Sequence, residues 1–135
     1  MNDESIKHLE FIQGVIARMN SNSFLIKGWM ITLVAALFAL AAKDANNRYI
    51  LITYLIIPAF WLLDAFYLSF ERQYRLLYDK VRSSQTTDFS MNISSYKQGP
   101  QSWPRAFFSK TLLAFYLPVL SVTLLIMFWI GRQAG

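Results

Sequence analysis

The sequence predicts an all-α integral membrane protein with three transmembrane helices, an N-terminal amphipathic helix and a cytosolic extension of the second span. Three apolar blocks lead to this prediction, at residues 24–42, 49–70 and 107–130. Each is close to the length of about 20 residues that crosses a bilayer as a helix. Hydrophobic residues make up 55% of the 135 residues and charged residues 16%. A soluble domain of this length would show shorter periodic elements separated by polar turns.

Composition excludes several classes of function. The chain contains no cysteine, so disulfides, thiolate catalysis and cysteine-ligated metals are excluded, and its single histidine, His8, cannot form a multi-histidine metal site. There is no glycine-rich phosphate loop, HExxH motif or nucleophile elbow. We therefore expect no enzyme activity, no cofactor and no metal. The formal charge of +5 lies beside the apolar blocks, and no nucleic-acid recognition motif accompanies it.

The first element is a predicted amphipathic helix over residues 3–20. Its apolar positions recur at helical spacing, at Ile6, Leu9, Ile12, Ile16 and Met19. The simpler interpretation is burial, either on the inner membrane surface or against the segment 74–81. An oligomerisation or signal-receiving helix is the alternative.

The polar residues 20–23 predict a break and a new helix start, which places the first span at 23–43. Lys27 can extend its ammonium towards the interface. Small residues share one face of this span, at Gly28, Thr32, Ala35 and Ala39. Such faces let membrane helices approach closely, so this face is expected to pack on another helix, in the same chain or in a neighbouring copy.

After a short polar turn, the second span is predicted at 48–70 and continues as a charged helix to residue 82. Pro58 predicts a kink in it. A cytoplasmic loop follows at 83–104, then the third span at 106–131, which contains a second proline kink at Pro118. Basic residues of the helical extension form the predicted surface for a cytosolic partner: Arg72, Arg75, Lys80 and Arg82.

Charge distribution predicts the topology. With the N-terminus inside, ten of the 13 Lys and Arg residues lie in cytoplasmic segments. The positive-inside rule then places the N-terminus and the long loop in the cytoplasm and the C-terminus outside.

Asp64 is the strongest candidate for a functional residue. It lies seven residues before Glu71, inside the second apolar block, where a carboxylate is costly and faces a partner or a water-filled space. Lys27 and Lys110 belong near the same leaflet and have stems long enough to reach it. Asp64 either lines or gates a pore with these lysines, or forms a structural ion pair that holds the spans together.

The order of these elements resembles that of small multi-pass membrane effectors of bacterial anti-phage defence systems, the two- or four-span type associated with nucleotide signals. The shared features are the amphipathic IKHLEFIQGVIARM, a first span that opens with NSFLIKGW, a short hairpin turn, and a second span that continues into FERQYRLLYDKVR. The resemblance implies a homo-oligomer that permeabilises the bacterial inner membrane when a partner or signal triggers it. This chain differs in having a third span and no nucleotide-sensing domain.

Two functions follow as expectations. The first is a homo-oligomeric pore-forming or membrane-perturbing effector. The second is a non-conducting membrane scaffold or regulatory subunit that docks a cytosolic enzyme. A transporter is a third possibility, but no repeated pair of broken helices supports it.

Overall fold

The computed structural model describes residues 2–44, 46–84, 87–99 and 101–134. Four α-helices and one 3₁₀ turn follow in the order α1 (Asp3–Asp44), α2 (Arg48–Ser83), the 3₁₀ turn Ser94–Tyr96, α3 (Trp103–Phe107) and α4 (Lys110–Ala134). These described ranges contain no β-strand, so the predicted all-α class is confirmed.

Three helices are long and apolar enough to cross a membrane: α1, α2 and α4 from Lys110 to Arg132. Three candidate spans were predicted, and three are present. Two local hydrogen bonds stabilise the short turn between α1 and α2. The Asn46 side chain accepts a hydrogen bond from the Arg48 N–H at 2.9 Å, and the Asn46 N–H donates to the Ala41 carbonyl.

The predicted break at residues 20–23 is wrong, because α1 runs without interruption from Asp3 to Asp44. The four residues are two asparagines and two serines. Their helix propensities are only about 0.5 kcal/mol per residue worse than that of alanine, and neither glycine nor proline is present to stop the helix. The polar stretch therefore changes the surface of the helix without ending it.

The helices contribute to two compact units. Met1–Phe24 and Ala65–Ala106 form one, called here the helix–loop unit, and Leu25–Asp64 and Phe107–Gly135 form the other, called the three-helix unit. The core of the helix–loop unit packs Leu9, Ile12 and Ile16 of α1 against Leu77 and Val81 of α2. Met91 and Ile93 of the following loop cover this core, together with three tyrosines.

The core at one end of the three-helix unit is formed by one small and two branched residues, Ala41 of α1, Ile50 of α2 and Ile130 of α4, all within 1% of complete burial. Beside it, the Tyr54 hydroxyl lies 3.7 Å from the sulfur of Met127. Each of the three long helices thus contributes a contact surface to this unit.

The third span begins later than predicted. α3 ends at Phe107 and α4 begins at Lys110, whereas the sequence predicted one helix from residue 106. Ser109 explains the separation, since its side chain accepts a hydrogen bond from the Leu112 N–H at 3.4 Å and its carbonyl accepts one from Leu113. A serine that satisfies the free N–H groups of a first turn is a preferred helix start.

Candidate functional sites

Asp64 lies in the three-helix unit with no exposed surface. The Lys27 ammonium donates a hydrogen bond to its Oδ2 oxygen at 2.5 Å, which makes a buried ion pair between α2 and α1. The Lys27 side chain itself is 19% exposed. Its ammonium also lies 5.6 Å from the centre of the Phe115 ring, within the range of a cation–π contact. Lys27 is therefore held by a carboxylate and an aromatic face.

Tyr116 of α4 provides a second donor to the same carboxylate. Its hydroxyl lies 2.9 Å from Asp64 Oδ2 and 3.4 Å from the Phe60 carbonyl, and Tyr116 is completely buried. Lys27, Asp64 and Tyr116 come from three different helices, and this set is called here the Asp64 cluster. A buried carboxylate is tolerated when both a counter-charge and hydrogen bonds compensate it.

Trp61 packs against Tyr116, one member of the cluster. Its ring stacks on Phe107 at 4.3 Å and on Tyr116 at 5.4 Å, nearly parallel to both. The indole N–H donates to the Phe107 carbonyl at 2.8 Å, which fixes the ring in this orientation. Trp61 thereby restricts the position of Tyr116.

The sequence offered two candidate lysine partners for Asp64, and the structure shows an ion pair with one of them. Lys27 makes the ion pair, whereas Lys110 is an exposed residue at the start of α4. Tyr116 was missed. The sequence contained a signal for this contact. Tyr116 lies six residues after Lys110, and Asp64 lies six residues before Phe70. In two spans of opposite direction, Tyr116 and Asp64 therefore occupy similar depths.

Four Ser and Thr hydroxyls of α1, α2 and α4 bond to the backbone of their own helix. Thr53 and Thr123 are buried and donate to carbonyls four residues earlier, at 3.4 Å and 2.8 Å. Thr32 and Ser121 are exposed, and both donate to the preceding turn at 2.9 Å. Their donors are therefore already satisfied and do not provide a polar lining.

The small-residue face of α1 does not pack within the three-helix unit. All four of its members are exposed, namely Gly28, Thr32, Ala35 and Ala39. The buried side of α1 is instead formed by Ile26, Met30 and Val34. Nothing lies within 4 Å of a Cβ placed on Gly28. Of the two predicted uses of this face, packing inside the chain is the one that the structure does not show.

The predicted kinks lie inside helices, Pro58 in α2 and Pro118 in α4, and both helices continue past them. Pro118 borders an apolar groove of about 300 Å³ that α1 and α4 form in the three-helix unit.

The predicted basic surface is partly neutralised by carboxylates of the same helix. Arg75 donates to Glu71 at 2.8 Å, and Arg82 lies 3.6 Å from Asp79. Lys80 is exposed and Arg72 is half-buried. Both arginines of these pairs are exposed, and ion pairs at the surface contribute little to stability, so they modify the surface charge more than the fold.

His8 is the centre of a second polar site, in the helix–loop unit, and its role was not predicted. The ring is 1% exposed, and its Nε2 donates to the Ser90 carbonyl at 2.8 Å. Its Nδ1 contacts the Thr87 hydroxyl. Because Thr87 Oγ1 accepts the Phe89 N–H at 3.3 Å, its own proton is free to be donated to Nδ1. Both ring nitrogens of His8 thus hold the loop to α1.

A cavity of about 340 Å³ opens beside His8. Its lining is mainly polar and includes Lys80 of α2 and Asp88, Asn92 and Ser95 of the loop. The Ser90 N–H donates to the Asp88 carboxylate at 3.0 Å, and this hydrogen bond holds the pKa of Asp88 below its usual value. No sequence pattern pointed to this cavity, because residues that are far apart in the chain line it. His8 and Thr87, for example, are 79 residues apart.

Within the described ranges, no group of three or more His, Cys, Asp or Glu residues lies close enough to hold a metal ion. The described ranges form an all-helical protein with three candidate membrane spans, a buried ion pair and a polar cavity. Comparison with protein-family models, curated proteins and solved structures found no match.

Proposed function

We propose that the protein is a membrane scaffold or regulatory subunit that docks a cytosolic protein on its helix–loop unit. The supporting observation is the burial of Asp64 between Lys27 and Tyr116. A carboxylate that lines a path must face water, whereas this one is fully covered by its own chain. In this proposal the Asp64 carboxylate holds the helices of its unit together. The groups available for recognition belong to the helix–loop unit.

The docking surface we propose combines an aromatic pair with basic residues. Phe11 and Phe89 are 56% and 41% exposed, with ring centres 6.2 Å apart. Lys80 and Arg82 are exposed on α2 of the same unit. Aromatic and basic side chains are enriched at protein interfaces, and an acidic partner surface would complement them. In this proposal the membrane is the bacterial inner membrane, with the N-terminus and the helix–loop unit in the cytoplasm.

Membrane potential and site-specific cross-linking test the proposal together. Cells that overproduce the protein are expected to keep their membrane potential. A photo-cross-linking residue in place of Phe89 is expected to capture one soluble protein, and the Lys80→Glu exchange to reduce that product about tenfold, because it puts like charge opposite an acidic surface. The matched control is the same photo-cross-linking residue at Leu125, which is 69% exposed in the three-helix unit. Depolarisation by the wild type that Asp64→Asn alters would contradict the scaffold.

The exposed small-residue face supports a second candidate, a homo-oligomeric pore-forming effector of anti-phage defence. Gly28 and its neighbours are open to another copy of the chain, and a ring of copies could enclose a path. In this alternative the Asp64 cluster closes the resting state, and a trigger releases it.

Gly28→Leu tests the oligomer. The monomer is expected to keep its fold, because the new side chain meets open space. If the face mediates assembly, the larger side chain prevents close approach and the oligomer fraction in detergent falls several-fold, while Leu33→Ala at a neighbouring exposed position leaves it unchanged. Size-exclusion chromatography with light scattering measures both. An unchanged mass for Gly28→Leu would remove this face from the assembly.

A further inference from the structure

The helix–loop unit contains a second, smaller cavity. It has a volume of about 200 Å³ and is bordered by one face of α2, by α3 and by the loop before α3. Its lining residues are Phe66, Ser69, Phe70, Gln73, Lys97 and Trp103.

Gln73, one of these lining residues, carries a buried acceptor that is unsatisfied within the described residues. The residue is 4% exposed, and its Oε1 oxygen has no hydrogen-bond partner within the described residues. The orientation of the amide follows from its neighbours. The Ser69 hydroxyl donates to the Gln101 carbonyl at 2.5 Å, so Ser69 Oγ can only accept, and the Gln73 NH₂ group donates to it at 2.9 Å. The oxygen therefore has no donor within the described residues, and a buried acceptor without a partner is unfavourable by about 1–3 kcal/mol.

The rest of the lining matches an amphipathic ligand. Lys97 is exposed and is the one ionisable residue of the lining, so the site favours an anion. Phe66 and Trp103 form a tilted aromatic pair at 5.5 Å and are 38% and 46% exposed. Phe70 ends the apolar block of α2 and Glu71 begins its charged part. Aromatic residues at such a transition are typical of the membrane–water interface.

We infer that this cavity binds the headgroup of an anionic glycerophospholipid that carries hydroxyl donors, as phosphatidylglycerol does. A headgroup hydroxyl donates to Gln73 Oε1, the phosphate lies near Lys97, and the acyl chains leave past Phe66 and Trp103. The volume is below the range of about 300–1,000 Å³ of most small-molecule sites, which suits a headgroup whose chains stay outside.

Lipid titration of the purified full-length protein, followed by native mass spectrometry, tests this inference. Phosphatidylmethanol has the charge of phosphatidylglycerol without its hydroxyl donors, so the pair separates the two contacts. The wild type is expected to prefer phosphatidylglycerol over phosphatidylmethanol about fivefold to tenfold. Gln73→Met is expected to abolish that preference. Lys97→Gln should weaken both anionic lipids equally relative to phosphatidylcholine. Gln13→Met and Lys7→Gln, the same exchanges at exposed positions of α1, are expected to change neither.

Three results would overturn the inference. The first is equal binding of phosphatidylglycerol and phosphatidylmethanol by the wild type, as expected if only water satisfies Gln73. The second is an equal effect of Lys97→Gln and Lys7→Gln on the binding of anionic lipid. The third is binding of soluble glycerophosphoglycerol as tight as that of the lipid, which would indicate a site for a free phosphodiester. Lys97→Gln keeps the test valid if Gln73→Met unfolds, because Lys97 is exposed.

Discussion

Asp64→Asn is expected to lower the free energy of unfolding by about 3–5 kcal/mol, the largest effect of any single exchange considered, because it leaves the Lys27 ammonium without its counter-charge. Tyr116→Phe removes one hydrogen bond to a charged group and is expected to lower it by about 1.5–3 kcal/mol. Lys110→Gln is the matched control and should have no measurable effect, since Lys110 is exposed. Thermal unfolding in detergent, monitored by circular dichroism, ranks the three.

The double variant Lys27→Met, Asp64→Leu gives the decisive comparison. Removing both charges leaves no unpaired ion, so the double variant is expected to be more stable than either single exchange. The stack of Trp61 on Phe107 involves neither charge and is expected to persist. A double variant as unstable as Asp64→Asn alone would show that the ion pair stabilises the fold by more than the free energy that burying its two charges costs. Equal damage from Lys110→Gln and Lys27→Met would contradict the pairing itself.

His8→Phe is expected to release the loop 87–96 from the helices of its unit. The exchange keeps an aromatic ring but removes the two nitrogens that bind Ser90 and Thr87. The Ser90 carbonyl and the Thr87 hydroxyl lose their partner, and leaving each of these groups unsatisfied costs about 1–3 kcal/mol of stability. Hydrogen exchange followed by mass spectrometry should show exchange of the loop amides faster by on the order of tenfold to a hundredfold.

Two further variants determine whether the nitrogens are responsible. Thr87→Val removes only the Nδ1 contact and is expected to accelerate exchange less than His8→Phe. Gln13→Phe adds a ring to an exposed position of the same helix and should leave the loop amides protected as in the wild type. Unchanged protection in His8→Phe would mean that Met91 and Ile93 hold the loop through apolar contacts alone.

Local patterns in the sequence were sufficient for the helices and insufficient for their ends. The apolar blocks predicted three spans because length and hydropathy act over about 20 residues. The start of α4 depends on one serine, and the continuity of α1 on the absence of glycine and proline in a polar stretch. Such effects amount to about 1 kcal/mol or less each, so neighbouring sequence can outweigh them.

The candidate sites were predictable to different degrees. Asp64 was identifiable because a carboxylate in an apolar block is rare, and Lys27 was one of two partners that length and depth allowed. Tyr116 was hidden among 22 aromatic residues, and no pattern in the sequence distinguishes it from the others. The His8 site could not be predicted, because its loop partners have no periodicity and lie far along the chain.

The three members of the Asp64 cluster are also synthesised in a fixed order, one helix at a time. Lys27 is synthesised first, Asp64 second and Tyr116 last, and each belongs to a different helix. A carboxylate at the centre of a span opposes insertion by about 2.5–3.5 kcal/mol. The hairpin of α1 and α2 already brings Lys27 to Asp64, so the first two spans can enter the bilayer as a neutral pair before α4 is made. Tyr116 belongs to the last of the three helices to be made, and its hydroxyl adds a hydrogen bond to Asp64 at 2.9 Å when α4 packs on the first two.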